Sequence, residues 1–219
     1  MMGAMEEARI EAAPTAGPYH PRRRSRTPSA DVERELVAAA EAVLVRDGPG
    51  ALTVRAVAAE AGIALQGVYS RLGGKDGLVD ALLLVGFGRL TATLEAAQGP
   101  DSLGRLRDCG RRYREFSLAN PHFYAIMFED AIPRERQEAH PGEVTEQAAA
   151  AFTALVRVVE FAGASGAISA PEPTEVAQQL WNTVHGAVAL ELKGLILTPD
   201  PAATYTASLE TLIRGLATA

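Results

Sequence analysis

The side chains best suited to binding another molecule are concentrated in residues 52–79. A glutamine such as Gln66 can pair with adenine through two hydrogen bonds, and an arginine such as Arg71 can pair with guanine. Hydroxyl, phenol and basic groups nearby are of the types that contact phosphates and set a protein's register on a duplex. Gln66, Gly67, Ser70 and Arg71 are expected to face outward from one helix, flanked by Thr53, Arg55, Tyr69 and Lys75. This set predicts recognition of double-stranded DNA.

The spacing of small and apolar residues indicates which elements hold these side chains. Ala58, Gly62 and Val68 follow one another at the intervals expected of two helices that cross steeply over a short turn. The crossing needs a small residue, the turn needs a glycine that adopts a positive φ, and the second helix needs an apolar anchor. The pattern predicts a helix-turn-helix whose second helix enters the DNA major groove. A packed helical hairpin that binds no ligand fits the same spacing.

Residues 31–84 resemble the N-terminal DNA-binding region of the TetR family of transcriptional regulators. The matching positions are Glu41, Ala42, Leu44, Gly48, Leu52, Thr53, Val54, Arg55, Val57, Ala58, Ala61, Gly62, Ile63, Val68, Tyr69, Lys75, Asp76 and Leu78. The resemblance implies a dimeric, ligand-responsive repressor that binds palindromic operator DNA. Ala64 stands where the family usually has Ser or Thr, Arg71 where it has His or Tyr, and Leu72 where it has Phe. These departures bear on the operator sequence rather than on DNA binding itself.

Composition and charge limit the remaining possibilities. The 219 residues carry a net charge of -6, with 21 basic and 27 acidic side chains. Basic residues outnumber acidic ones within 22–75 and acidic ones predominate afterwards, so DNA is expected to meet the N-terminal part. Cys109 is the only cysteine, which excludes an intrachain disulfide framework and favours a reducing cytoplasm. We identify no secretory signal and no uninterrupted apolar run of membrane-spanning length, so no membrane partner is expected.

Composition and periodicity divide the chain into three parts. Residues 1–28 are rich in Pro, Ala, Gly and Arg and are expected to form a disordered basic tail. The arginine run at 21–26 is either a solvated segment or an arm that follows phosphates or the minor groove. Residues 29–76 should form a three-helix helix-turn-helix domain, and 77–219 a larger helical domain for effector binding and dimerisation. The predicted fold class is all-α, since no alternating strand pattern of useful length occurs.

The larger domain contains aromatic and polar residues that could contact a small molecule. Trp181, His185 and Gly186 resemble the Trp-His-Gly pattern of one TetR C-terminal subgroup, as does the Asn-Pro-x2-Tyr-x2-Met-Phe pattern at 120–128. The candidates for lining an effector pocket are Tyr113, Phe116, Phe123, Met127, Phe152, Trp181 and His185. Each of these residues could instead be an ordinary core residue.

Two apolar stripes predict a homodimer. One runs from Trp181 to Leu192 on the penultimate helix, which is apolar on most sides and is expected to meet both a core and a partner. The other runs from Tyr205 to Leu216 on the last helix. Two such helices from each subunit would form a two-fold, four-helix interface. A dimer would also suit two operator half-sites one DNA turn apart.

The sequence shows no catalytic constellation, metal site or cofactor motif. His122 and His140 lack the spacing of metal ligands. We find no nucleophile elbow, phosphate-binding loop or paired-carboxylate signature. The expected partners are therefore a double-stranded DNA operator and an unknown small-molecule effector, and no enzymatic activity is expected. The alternative is an all-α small-molecule-binding protein or enzyme whose N-terminal helices merely pack together.

Overall fold

The structure is a computed structural model that describes residues 29–129 and 142–218. These residues form nine α-helices and a 3₁₀ turn (Pro49–Ala51), with no strand beyond an isolated bridge. The helices are α1 (Ser29–Asp47), α2 (Val54–Ala61), α3 (Leu65–Leu72), α4 (Lys75–Glu95), α5 (Ser102–Ala119), α6 (Pro121–Phe128), α7 (Glu143–Ala164), α8 (Pro173–Leu192) and α9 (Pro201–Leu216). The predicted all-α class is confirmed. The predicted tail at 1–28, with its arginine run, lies outside the described residues.

Helices α1 to α3 form a small bundle around an aliphatic core. The fully buried side chains in it include Leu36, Val43 and Leu44 of α1, Val57 of α2 and Val68 of α3. Fully burying such a side chain contributes roughly 1.5–3 kcal/mol. The start of α4 closes the bundle, because it packs against both α1 and α3.

Helix α4 belongs to both parts of the protein. It begins directly behind α3, and the predicted boundary between residues 76 and 77 falls within its first turn. Its later turns pack along α7 and against α5 and α6. By length and composition alone, α4 and α7 are apolar enough to cross a membrane. Because the two helices pack against each other, their apolar faces form the centre of the larger domain.

Helices α5 to α9 complete that domain around α4. Tyr205 on α9 donates a hydrogen bond to the carbonyl of Gly110 on α5, at 2.6 Å. A Cβ at Gly110 would lie only 2.5 Å from Cδ2 of Leu209, so the glycine lets the two helices approach closely. Tyr205 and Leu209 are thus buried within one protomer. Their half of the predicted stripe on the last helix is not available to a partner.

Two ion pairs fasten α5 to its neighbours. Arg114 donates to both carboxylate oxygens of Glu191 on α8, at 2.9 and 2.5 Å. Arg107 does the same to Glu210 on α9, at 2.6 and 3.2 Å. Paired, charge-assisted hydrogen bonds of this kind add geometric specificity to helix packing.

Helix α8 ends earlier than its apolar pattern suggests. Helical periodicity extends to residue 197, but the helix stops at Leu192. Gly194 adopts a left-handed φ of 66°, and the N–H of Leu195 donates to the carbonyl of Leu190 at 2.9 Å. This is the glycine-dependent helix ending that satisfies the last carbonyls.

Candidate nucleic-acid interface and effector cavity

The turn between α2 and α3 has the geometry that its sequence predicts. Thr53 begins α2 by accepting a hydrogen bond at Oγ1 from the N–H of Ala56, at 3.1 Å. Gly62 ends α2 with a left-handed φ of 64°. The N–H of Ile63 then donates to the carbonyl of Ala58, at 3.0 Å. Ala58 is buried at the crossing, so α3 is held against α2 in one orientation.

The outer face of α3 carries polar side chains, whereas its inner face is anchored. Gln66, Ser70 and Arg71 are exposed, and Tyr69 retains 50% of its accessible surface. Val68, on the side of α3 that packs against the bundle, is fully buried. The flanking residues Thr53, Arg55 and Lys75 are also exposed. The structure therefore brings the predicted polar and basic side chains to the solvent-facing surface around one helix.

The start of α3 has no side-chain cap. Ala64 occupies the position before the helix, where a serine or threonine would accept a hydrogen bond. A capping side chain of that kind typically contributes about 1 kcal/mol. The first N–H groups of a helix are also suited to binding a phosphate oxygen. The start of α3 is therefore a candidate contact to the DNA backbone.

Gly67 differs in geometry from the other predicted base-facing residues. It is half-buried, and a Cβ there would lie 2.7 Å from Cγ2 of Ile63. The Gly67 carbonyl also accepts a hydrogen bond from Ser70 Oγ at 3.1 Å. The missing side chain thus allows the turn and α3 to approach each other.

Two glycines behind α3 hold it against α4, and neither was among the predicted site residues. A Cβ at Gly77 would lie 1.5 Å from the carbonyl oxygen of Leu72, so only glycine fits where α4 passes the end of α3. A Cβ at Gly74 would lie 3.1 Å from Cε1 of Tyr69, so the Tyr69 ring lies over this glycine. Spacing alone gave no signal for Gly77, since its need arises from contact between two helices.

The larger domain contains an apolar cavity of about 250 Å³. All six helices from α4 to α9 contribute to its wall. The lining residues are Phe87, Leu90, Leu94, Leu106, Cys109, Gly110, Tyr113, Met127, Phe128, Ala148, Ala151, Phe152, Leu155, Leu180, Trp181, Val184 and Leu209. A concave, mostly apolar site with few polar groups is the usual form of a small-molecule pocket.

The structure brings four of the seven predicted pocket residues to this cavity: Tyr113, Met127, Phe152 and Trp181. His185 lies directly behind the wall, with its ring centroid 5.6 Å from that of Trp181. Phe116 and Phe123 do not line the cavity. Phe123 is buried instead against Gly86, where a Cβ would lie 3.0 Å from its Cδ1. Aliphatic wall residues such as Leu90 were missed because their pattern is that of ordinary core residues.

A polar group lies at one side of the cavity. The Tyr113 hydroxyl is 2.7 Å from Nδ1 of His185. Burial lowers the pKa of His185, so its imidazole is neutral near pH 7. Burial also raises the pKa of Tyr113, and that of Tyr124 to about 12. The neighbourhood therefore offers neutral hydrogen-bonding groups rather than charges.

Helix α6 connects the cavity to the helix-turn-helix. At one end Met127 lines the cavity, and a Cβ at Gly86 of α4 would lie only 2.8 Å from its Sδ. At the other end His122 lies against Gly48, just after α1, where a Cβ would be 3.7 Å from Cε1. A shift of α6 would therefore change both the cavity wall at Met127 and the contact between His122 and Gly48.

Metal binding finds no support in the part of the chain that the structure describes. Within 29–129 and 142–218, no three His, Cys, Asp or Glu side chains lie close enough together to hold an ion.

Comparisons with known proteins agree with this architecture. The family model for bacterial regulatory proteins of the tetR family matches residues 36–82, and that for the tetracyclin repressor-like C-terminal domain matches residues 106–215. A solved protein of unknown function from Rhodococcus sp. RHA1 is 30% identical, with a TM-score of 0.75 over 85% of this chain and 96% of that chain. No curated protein matches the sequence.

Two further solved structures share the fold at lower identity. A TetR-family transcriptional regulator from Pectobacterium atrosepticum is 19% identical, with a TM-score of 0.69 over 90% of this chain and 99% of that chain. A bacterial regulatory protein in the tetR family from Rhodococcus RHA1 is 18% identical, with a TM-score of 0.61 over 86% and 98%. The exposed recognition helix, the larger helical domain and the two family matches together show that the chain belongs to the TetR family and is a DNA-binding transcriptional regulator.

Proposed function

We propose that the protein is a dimeric, ligand-responsive repressor that binds a palindromic operator. In this proposal Gln66 and Arg71 contact base edges in the major groove, with Gly67 and Ser70 on the same helix close to the DNA. Thr53, Arg55, Tyr69 and Lys75 contact phosphates. The exposure of these side chains on and beside α3, whose anchor Val68 is fully buried, supports the assignment.

The observation that carries ligand response is the shared use of α4 and α6. Both helices line the cavity, and both also pack against α1. A molecule that fills the cavity would push on Phe87 and Met127, and thereby change how the helix-turn-helix is held. We infer that the effector favours a conformation in which the two recognition helices are wrongly spaced for successive major grooves. Operator affinity then falls by the difference in effector binding between the two conformations, typically about 5–150-fold.

Dimerisation would use the outer faces of α8 and α9. A Cβ at Gly186 or at Gly215 would meet no atom within 4 Å, so both glycines face open space in the protomer. Leu190, on the exposed side of α8, retains 46% of its surface. Such faces let a second copy approach closely, and a two-fold pair would present two recognition helices to half-sites about 34–36 Å apart.

The same proposal includes a subgroup within the TetR family and a cellular compartment. We assign the C-terminal domain to the Trp-His-Gly subgroup. Trp181 lines the cavity, His185 supports its polar side, and Gly186 faces outward. A regulator of this kind acts in the cytoplasm, where operator DNA is accessible. The single, buried and unpaired Cys109 is consistent with that reducing compartment.

The test is operator binding by the purified, full-length chain. Selection from a random DNA library, followed by fluorescence anisotropy, should yield a palindromic site bound by a species of twice the 23.1 kDa protomer mass. Affinity should fall steeply with added salt, because phosphate contacts release counterions. The matched control is the doubly substituted Gln66→Ala/Arg71→Ala protein. Enrichment of no sequence would refute the regulator assignment in favour of a small-molecule-binding protein whose N-terminal helices only pack. Equal enrichment by wild type and control would instead refute the assignment of Gln66 and Arg71 as base contacts.

A further inference from the structure

The wall of the cavity defined above is aromatic and uncharged. Among the described residues that line it, none carries a formal charge at neutral pH. Phe152 and Phe128 flank the indole of Trp181, with ring centroids 5.6 and 6.2 Å away. Aromatic faces at these distances favour an apolar or aromatic ligand.

Charged groups on the neighbouring helices do not line the cavity. Arg105 of α5, for example, lies with its guanidinium 5.4 Å from the ring centroid of Phe161. Arg114 and Glu191 neutralise each other across α5 and α8, and Arg107 and Glu210 do so across α5 and α9. Burial raises the pKa of the Cys109 thiol to about 12, so this wall residue presents a thiol rather than a thiolate. A ligand carboxylate or ammonium would therefore be buried without a countercharge, which is strongly unfavourable.

The volume sets the size of the ligand. An engineered protein cavity of about 150 Å³ binds benzene, and drug-sized ligands occupy roughly 300–1,000 Å³. The cavity here measures about 250 Å³. Scaled by volume from the benzene case, it holds about ten non-hydrogen atoms.

One hydroxyl group supplies directional recognition. Tyr113 is the lining residue with a hydroxyl, and His185 Nδ1 lies 2.7 Å from it. In one tautomer the phenol donates to Nδ1 and can accept a hydrogen bond from the ligand. In the other, Nδ1–H donates to the phenol, whose own proton can go to the ligand in place of Tyr124, a second hydrogen-bonding neighbour of this hydroxyl. A ligand hydroxyl satisfies either arrangement, since it both donates and accepts.

We propose that the effector is an uncharged, mostly apolar molecule of about ten non-hydrogen atoms whose single hydroxyl bonds to Tyr113. The effector role rests on the proposed function above, whereas the ligand class rests on the cavity alone. Charged metabolites, nucleotides and polar sugars are thereby excluded as occupants.

Three probes that share a tert-butylphenyl group test the class: 4-tert-butylphenol, tert-butylbenzene and 4-tert-butylbenzoate. Binding to the full-length protein without DNA is measured by calorimetry and by the fluorescence of Trp181, the only tryptophan in the chain. We expect the phenol to bind about threefold to tenfold more tightly than the hydrocarbon, the value of one net hydrogen bond. The benzoate should bind at least about 100-fold more weakly than the phenol.

Two variants locate the binding. Tyr113→Phe should reduce phenol affinity to that of the hydrocarbon and leave hydrocarbon affinity within about twofold, since it removes one hydrogen bond. Ala148→Phe, which adds a ring to the wall, should abolish binding of all three probes. Thermal unfolding and operator binding of each variant establish that it is folded.

The outcomes separate this inference from the proposed function. The ligand class is wrong if the benzoate binds as tightly as the phenol or more tightly. It is also wrong if neither uncharged probe binds to protein that still binds its operator. Neither result affects the proposed repressor function. An unchanged preference for the phenol in Tyr113→Phe overturns the assignment of the hydroxyl. If the protein binds the phenol selectively but recognises no operator, the ligand class is supported and the proposed repressor function is refuted.

Discussion

The guanidinium of Arg89 on α4 holds the carboxylate of Glu41 on α1 through two hydrogen bonds, Nη1 to Oε1 at 2.6 Å and Nη2 to Oε2 at 2.9 Å. The same guanidinium lies 5.5 Å from the ring centroid of Phe123 on α6. Hydrogen bonding to Glu41 raises the pKa of Arg89, which stays charged. The first helix of the DNA-binding bundle is thus connected to both helices proposed to transmit the effector signal.

Arg89→Gln tests that connection. Side-chain exposures of 47% and 28% indicate a pair of the surface type, so the free energy of unfolding should fall by less than about 1 kcal/mol. The ratio of operator affinities without and with 4-tert-butylphenol should change more, by about threefold or greater, because the ion pair between α1 and α4 is lost. The control is Arg157→Gln, which removes a pair with Glu95 at 3.2 Å inside the larger domain. An identical ratio in wild type and both variants would show that the Arg89 pair carries no signal.

The proposed base contacts predict position-specific effects. Gln66→Ala and Arg71→Ala should each relax selectivity at one base pair of each half-site, by about 1–3 kcal/mol. Binding to operators that carry every single-base substitution measures this directly. Retained selectivity in both variants would mean that other residues read the bases.

The proposed phosphate contacts predict uniform effects. Tyr69→Phe and Lys75→Ala should weaken binding to all DNA sequences alike, and Lys75→Ala should lower the salt dependence by about one counterion. Tyr69→Phe keeps the ring over Gly74 and removes only the hydroxyl, so it separates packing from phosphate contact. If either variant weakens binding to some sequences more than to others, that residue contacts bases rather than phosphates.

Gly77→Ala should disrupt the helix-turn-helix. Its new methyl group would fall 1.5 Å from the Leu72 carbonyl oxygen, so the start of α4 or the end of α3 must move. We expect a loss of about 1–3 kcal/mol in unfolding free energy and a marked loss of operator affinity. Gly88→Ala is the matched control in the same helix, since its methyl group would make an ordinary contact, 3.5 Å from Gln147 Nε2. That change should stabilise α4 by about 0.5–1 kcal/mol. Equal stability of the two variants would refute the assigned contact.

The buried imidazole of His185 predicts a pH dependence. Its pKa in the folded protein lies below the ordinary value of 6.5 because burial disfavours the charged form. The unfolded chain therefore binds the proton first as the pH falls, and the free energy of unfolding should decrease below about pH 6.5. Urea denaturation between about pH 7 and pH 5 should show a shallower decrease in His185→Gln, with His122→Gln as the control. A slope unchanged by His185→Gln would place its origin in other groups.

The DNA-binding half was largely predictable because its determinants are local. Ala58, Gly62 and Val68 act within a few residues of one another, and the structure has the buried crossing, the left-handed turn and the inward anchor that they predict. The helix bounds follow in the same way from nearby glycines, prolines and caps. The need for glycine at position 77 was not predicted. It arises from contact with the Leu72 carbonyl, which depends on the angle between α3 and α4 and not on sequence spacing.

For the larger domain, the sequence by itself determined that the chain is helical and identified its aromatic and polar residues. Only the tertiary structure decided which of them meet: Phe152 and Trp181 at the cavity, Phe123 in the core against Gly86, and Tyr205 on Gly110 rather than on a partner. The physical reason is that burial of apolar surface is non-directional. The same side chains can therefore fill a core, line a cavity or cover an interface, and only the packing of distant helices distinguishes these outcomes.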